Sequence, residues 1–193
     1  SANNFKSSGR KFYIAPDGSA EEEDGTSPEK PWSLDALSLY KYMLEPGDTV
    51  LFERGSVYRL TSGLQLTSGV TYTAYGKGNK PALYGSEMNY AKDGLWFPSK
   101  KENIWRLDFP AGKAGSIVYN HGEAIGTSRN GLKELNRNGD FFCNATEGFL
   151  YLYCDKGYPQ DVYKDIEIAA QIGVSGSGLN NVKVENLTVK YFG

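Results

Sequence analysis

The sequence predicts a mostly β fold of short stacked strands, closed at its start by one α-helix and interrupted by an antiparallel β insertion. Three observations carry this expectation. Apolar residues recur at the helical period only between Ser33 and Leu44, after which the pattern is strand, turn, strand. The strand candidates that follow are short apolar runs punctuated by glycines, and 23 of the 193 residues are glycine, well above the usual ~7%. Residues 86–165 then break that rhythm with longer loops and alternating aromatic segments.

The helix comes first. Ser33 can accept from the free amides of the first helical turn. Leu34, Leu37, Tyr40 or Lys41, and Leu44 share one face, and Pro46-Gly47 stops the helix because proline lacks the amide donor. One helix followed only by strands reads as a cap over the end of a β structure. Upstream, residues 1–11 are polar and expected to be flexible, and Phe12–Ala15 is a short strand ended by a Pro16-Asp17-Gly18 turn. The acidic run Glu21, Glu22, Glu23 and Asp24 lacks the alternating ligand spacing of a calcium loop and is expected to be solvated. Trp32 is expected in the core.

Candidate strands are 49–53, 57–60, 64–67, 70–75 and 81–84. Their continuous apolar character suits strands covered on both faces, hence parallel pairing. Val50 to Val70 is a step of twenty residues, in the range of one turn of a solenoid. In the insertion, 95–97, 104–109, 116–119, 140–143 and 149–153 read as antiparallel hairpins. The first rhythm is expected to return from residue 166, with strands at 166–169, 172–174 and 181–191 and a corner at Asn186, whose side-chain amide can reach the turn stacked above it. Apolar coil surface at Phe192-Gly193 leads us to expect the N-terminal part of a longer protein, since solenoids need a terminal cap. Four segments result: a flexible start (1–11), cap and first coils (12–85), an aromatic-rich β insertion (86–165) and continuing coils (166–193).

Composition limits function. With 21 basic and 23 acidic residues the net charge is −2, which does not draw the chain to nucleic acid or anionic membrane. No apolar run approaches the ~20 residues of a membrane span. A turn near Thr146 would pair Cys143 with Phe149 or its neighbour, leaving Cys154 about four residues out of register. At ~3.4 Å per residue that exceeds the reach of a disulfide, so two free thiols are expected, and without histidine neighbours they do not form a zinc site.

The stretches YIAPDGS, DGTSPEKPWSLDAL, LEPGDTVLFERGSVYR and GVTYTAYGKGNKPALYGS resemble the N-terminal region of right-handed parallel β-helix proteins of the pectin-lyase-like superfamily. In that family a helix packs over the first coil, and a run such as NNVKVENLTVKYFG opens the regular coils. IVYNHGEAIGTSRNGLKEL is similar to the inserted segment of some β-helix glycoside hydrolases, with His121 here lying between Asn120 and Gly122. The resemblance implies the start of a right-handed parallel β-helix with an N-terminal capping helix and an antiparallel insertion. It further implies part of a secreted or cell-surface polysaccharide lyase or glycoside hydrolase, with its catalytic coils beyond residue 193; a non-catalytic carbohydrate-binding or surface-attachment module is the alternative. Polysaccharide or oligosaccharide and the remaining coils are the expected partners. No cofactor is expected in this segment, and calcium enters only with the full-length protein, if that is a lyase.

No catalytic residue follows from the sequence. Asp108, Glu123, Glu134 and Asp140 are carboxylates available for a pair, but sequence does not bring two together. His121, the single histidine, is a general-base candidate or a surface turn residue, and Ser116 lacks a nucleophile-elbow setting. Sugar faces stack on aromatic rings, so Trp96, Trp105, Tyr119, Tyr151 and Tyr153 are substrate-binding candidates, with filling of a small second core as the competing role. Arg129, like Arg137, could meet acidic sugars or simply be solvated. Asn144 and Asn186 head Asn-X-Thr sequons, relevant in a eukaryotic secretory pathway.

Overall fold

The computed structural model describes residues 9–169, 174–176 and 178–192. In chain order it holds β1 (Lys11–Ser19), helix α1 (Leu34–Tyr40), β2 (Thr49–Glu53), β3 (Val57–Arg59), β4 (Leu64–Gln65), β5 (Thr71–Tyr75) and β6 (Ala82–Tyr84). There follow β7 (Trp96–Pro98), β8 (Ile104–Asp108), β9 (Ser116–Tyr119), β10 (Ala124–Ile125), β11 (Thr127–Ser128), β12 (Asp140–Asn144), β13 (Phe149–Tyr153), α2 (Pro159–Val162) and β14 (Ile166–Ala169). The last are β15 (Val174–Ser175), β16 (Lys183–Val184) and β17 (Thr188–Lys190). The fold is mostly β. It divides into two compact units, one holding the residues up to Tyr84 together with Val174–Lys190, the other beginning at Gly85.

The first unit is built from parallel sheets. One has the order β1-β2-β5-β16, a second β3-β6-β17 and a third β4-β15, and every pairing is parallel. The chain visits the three in turn through β2, β3 and β4, returns through β5 and β6, and visits them again through β15, β16 and β17. The step is not the expected twenty residues. Val50 lies opposite Tyr72 and Tyr58 opposite Leu83, which are steps of 22 (72 − 50) and 25 (83 − 58). The corners between strands differ in length, so no single period runs through the sequence.

Phe12, Ile14, Val50, Phe52, Tyr72 and Leu83 are buried, as expected for alternate residues facing one interior. Two tyrosines bring a polar end into that interior and satisfy it. The Tyr58 hydroxyl donates to the Ile14 carbonyl and accepts from the Glu53 amide, each at 3.0 Å, and the Tyr72 hydroxyl accepts from the Thr67 amide at 2.9 Å. Burial pushes both phenols above their ordinary range.

Helix α1 starts where Ser33 predicts, with its Oγ accepting from the Ala36 amide at 3.1 Å, and it buries Ala36 and Leu37 against β1. Asp48, after the Pro46-Gly47 stop, is buried. Its carboxylate accepts from the Glu45 amide at 2.8 Å and pairs with Arg10 at 2.9 Å, so it closes the turn that launches β2. Gly69 is required above this turn: its φ is +77°, and an added Cβ would lie 2.6 Å from Pro46.

Several expectations need correction. β1 does not end at Pro16-Asp17-Gly18 but runs to Ser19, because Ser19 donates to Pro31 and accepts from Ser33. Gly18 permits that approach, since a Cβ there would sit 2.1 Å from the Trp32 carbonyl oxygen. Trp32 itself is buried and stacked on Phe12 at 4.9 Å. Most of the expected flexible start (1–8) and most of the expected strand 172–174 lie outside the described residues. At Asn186 the corner forms between β16 and β17 with φ +59°, and its amide reaches not a turn but the Thr73 hydroxyl of strand β5, at 3.4 Å.

The second unit carries antiparallel sheets. Five strands run β11-β12-β13-β8-β7, with only β11-β12 parallel, and three run β10-β9-β14. Ile166–Ala169, expected to resume the coils, is β14 of this second sheet and pairs antiparallel with β9. The reason is burial: Ile166 and Ile168 enter the core of Trp96, Leu107, Ile117, Phe141 and Leu152. Its other edge is tied down by Asn89 and Ser86, whose side chains accept from the Ile166 and Ile168 amides at 3.0 Å. Cys143 stands opposite Leu150, four residues short of Cys154, and both thiols are free.

Candidate functional site

Strand parity decides the fate of the aromatic candidates. Trp96 is 2% exposed, lies opposite Leu107 and donates from its indole to the Tyr90 carbonyl at 2.8 Å. Tyr119 is 1% exposed, stacks on Tyr163 at 4.4 Å and donates to the Gly139 carbonyl. Tyr151 is buried against Ile104 and Leu135. These three are core residues and leave no ring face for a sugar, which corrects the binding role expected of them. Trp105 is half-buried, donates to the Cys154 carbonyl at 2.9 Å and packs on Tyr158 at 4.3 Å. Tyr153 is half-buried beside the Ile104–Leu135–Tyr151 cluster. Arg129 stands next to Asp140, with Nε 3.4 Å from Oδ2.

The opposite parity builds a second face that the sequence analysis did not single out, its middle covered where Leu135 buries Tyr151 and Ile104, its margins left partly open. Phe97 lies opposite Arg106, Arg106 opposite Tyr151 and Tyr151 opposite Phe142, a row running across β7, β8, β13 and β12. Phe97 is 48% exposed. The Arg106 guanidinium lies over the Phe149 ring, 4.4 Å from its centroid, within cation–π range. Trp96-Phe97 and Trp105-Arg106 are doublets, and in each the tryptophan turns inward while its neighbour turns out. Period-2 alternation in the sequence carries both faces, and in each doublet the tryptophan is the member on the core side.

Two depressions of about 500 Å³ open beside the turn Arg129–Asn130 and share Asn130 and Phe142. One is bounded by Lys101, Leu132, Lys133 and Glu134, the other by Lys113, Ser128, Arg129 and Cys143. Glu134 is already engaged, accepting from the Asn130 amide at 2.8 Å.

A carboxyl pair does occur, though not among the four residues proposed for one. Asp108, Glu123, Glu134 and Asp140 fall on separate elements, and Asp140 is occupied by the Asn136 and Arg137 amides. The pair is Asp165 and Glu167, 2% and 1% exposed. They alternate with Ile166 and Ile168, so the D-I-E-I spacing places both carboxyls on one face of β14, a pattern legible in the sequence. Burial, together with the hydrogen bond and charge of Glu167, pushes the Asp165 carboxyl up to about 6, and His121 opposes the shift. His121 Nδ1 stands 3.5 Å from Asp165 Oδ2. The imidazole is exposed on a turn in which Asn120, His121 and Gly122 have φ of +50°, +56° and +107°. Asn120 pins the turn, donating to the Asp165 carbonyl and accepting from the Lys164 amide, both at 2.8 Å. Such a pair can hold one proton between two carboxyls; hydrogen-bonded to each other, they leave no room for a sugar bond between them. Among the described residues no group of three or more acidic, histidine or cysteine side chains is placed to hold a metal ion.

No protein-family model matches the chain, and no curated protein matches it. A solved structure described as a glycoside hydrolase is similar to it, with a TM-score of 0.64 over 95% of this chain. Sequence identity is 11%. The likeness is one of fold. This chain covers 51% of that structure, about half its length.

Proposed function

We propose that the chain is the capped start of a secreted or cell-surface, carbohydrate-active parallel β-helix protein, and that this part of it binds the glycan. The observation that carries the proposal is the outer face of the five-stranded sheet, where the row that starts at Phe97 and Arg106 ends at Phe142, which lines two depressions rimmed by Lys101, Lys113, Arg129 and Lys133. Carbohydrate sites combine ring faces with a few polar groups in this way. Three parallel strand sets visited in turn support the β-helix, and the fold shared with a structure described as a glycoside hydrolase supports the substrate class. Cleavage, by lyase or hydrolase chemistry, is assigned to coils following residue 193, where a lyase would also place calcium. Tyr153 and Arg129 remain as binding residues of this reading, and Trp105, on the inward side of the sheet, does not.

A non-catalytic binding or attachment module is the second reading. The hydrogen-bonded Asp165–Glu167 pair favours it, since glycosidase carboxyls stand ~5–10 Å apart. Binding of this chain to immobilised plant and algal polysaccharides tests the common part. Phe97→Ala and Arg106→Ala are each expected to weaken binding ~10-fold, in line with the ~1–2 kcal/mol of an aromatic or cation–π contact. Unchanged binding in both variants rejects the face. Activity of the longer protein on the same polysaccharides then separates enzyme from module.

A further inference from the structure

Arg106 and Arg129 each bury an Nε that has no hydrogen-bond partner, but Arg106 is spent over the Phe149 ring, whereas Arg129 borders an open depression. The Arg129 Nε lacks a partner although Asp140 stands 3.4 Å away. The Asp140 oxygen nearest to it already accepts from the Asn136 and Arg137 amides at 3.2 and 3.1 Å. Asp140 therefore holds the guanidinium in place by charge while leaving its donor fork open, and a guanidinium carries five N–H donors in a planar array. That array borders the depression lined also by Lys113, Ser128 and Asn130, and no carboxylate is among its lining residues. At about 500 Å³ the depression falls within the ~300–1,000 Å³ of small-molecule sites. A planar fork, an ammonium, a hydroxyl and an amide facing one concavity match the needs of an oxyanion, which accepts bidentate bonds from arginine.

We propose that this depression is an anion subsite that takes the carboxylate or sulfate group of an acidic glycan. The inference rests on the carbohydrate-binding reading and narrows it. Asn130 and Phe142 line both this depression and the one with Lys101 and Lys133, so the two adjoin at those residues.

The test is calorimetric titration of the full chain with three probes of equal length: an oligogalacturonate, a sulfated galactan oligosaccharide and a neutral cello-oligosaccharide. One acidic probe is expected to bind at least ~10-fold more tightly than the neutral one, and to weaken as salt rises from 0.05 to 0.5 M, as screening of charged contacts requires. The tighter of the two acidic probes identifies carboxylate or sulfate as the anion. Lys113→Ala and Arg129→Gln should each reduce acidic-probe affinity ~5–20-fold, a larger loss than either causes with the neutral probe, and should flatten the salt dependence of acidic binding. Arg129→Gln leaves Asp140 without its cation, so thermal melting accompanies it; Lys113→Ala changes an exposed side chain and carries the test if the arginine variant unfolds. Equal binding of neutral and acidic probes, or acidic binding untouched by Lys113→Ala, overturns the subsite while the carbohydrate reading stands. Binding of none of these probes or of the wider polysaccharide panel removes that reading and the subsite with it.

Discussion

The Asp165→Asn substitution offers a quantitative test of the buried carboxyl pair. Asp165 has its carboxyl pushed up from an ordinary value of 3.8 to about 6, first by burial and then by Glu167. A carboxyl whose folded value is raised binds its proton more tightly in the folded state. The stability it contributes is complete below about pH 4 and is lost as pH rises through about 6. The interval between 3.8 and about 6 corresponds to about 3 kcal/mol, an upper bound for a pair that shares one proton. Asparagine keeps the size, donates to Glu167 and carries no charge at any pH. The difference in unfolding free energy, variant minus wild type, should grow between pH 4 and pH 7 by at most about 3 kcal/mol. In melting temperature that bound is about 6–12 °C for a chain of this length. Calorimetric melts of both proteins at half-unit intervals from pH 4 to 8 measure it, and the ¹³C carboxyl resonance of Asp165 gives the midpoint directly. A difference that does not vary with pH, or a carboxyl midpoint near 4, would refute the reasoning.

Further expectations concern packing and turns. Asp48→Ala removes the acceptor of the Glu45 amide and the partner of Arg10 and should cost about 2–4 kcal/mol in urea unfolding. Gly69→Ala forces a Cβ against Pro46 at positive φ and should lower stability by about 1–3 kcal/mol; a neutral result would mean that the turn relaxes. Trp96→Ala should destabilise by about 3–5 kcal/mol, whereas Phe97→Ala, next in sequence but half-exposed, should change stability by less than about 1 kcal/mol while weakening glycan binding. Comparing melts and glycan affinities of those two neighbours checks the inward–outward assignment directly.

Local chemistry was largely legible. Ser33 and the β-branched run after Asp48 marked the helix start and β2 because caps and strand formers act within a few residues, whereas the helix ends at Tyr40, ahead of the Pro46-Gly47 stop and of Leu44, through a short 3-10 turn at Lys41–Met43. The free thiols followed from strand rise and turn position alone. What failed depended on partners distant in sequence. β1 continues through Pro16 because residues 31–33 come alongside, and β14 joins an antiparallel sheet because β9 and the 86–90 segment offer edges to its two isoleucines. No single step runs through the sequence, because corners of unequal length separate Val50 from Tyr72 and Tyr58 from Leu83.

The candidate site divides in the same way. The sequence by itself determined that the second unit is rich in rings on alternating strands, that Asp165 and Glu167 share a face, and that Arg129 sits on a polar turn. Which ring of each doublet meets solvent was decided only by the tertiary structure, because alternation sets two faces without saying which one the core will cover. Burial of Leu107, Leu150 and Ile168 chose that side, turning Trp96 and Trp105 inward and leaving Phe97 and Arg106 on the outer face.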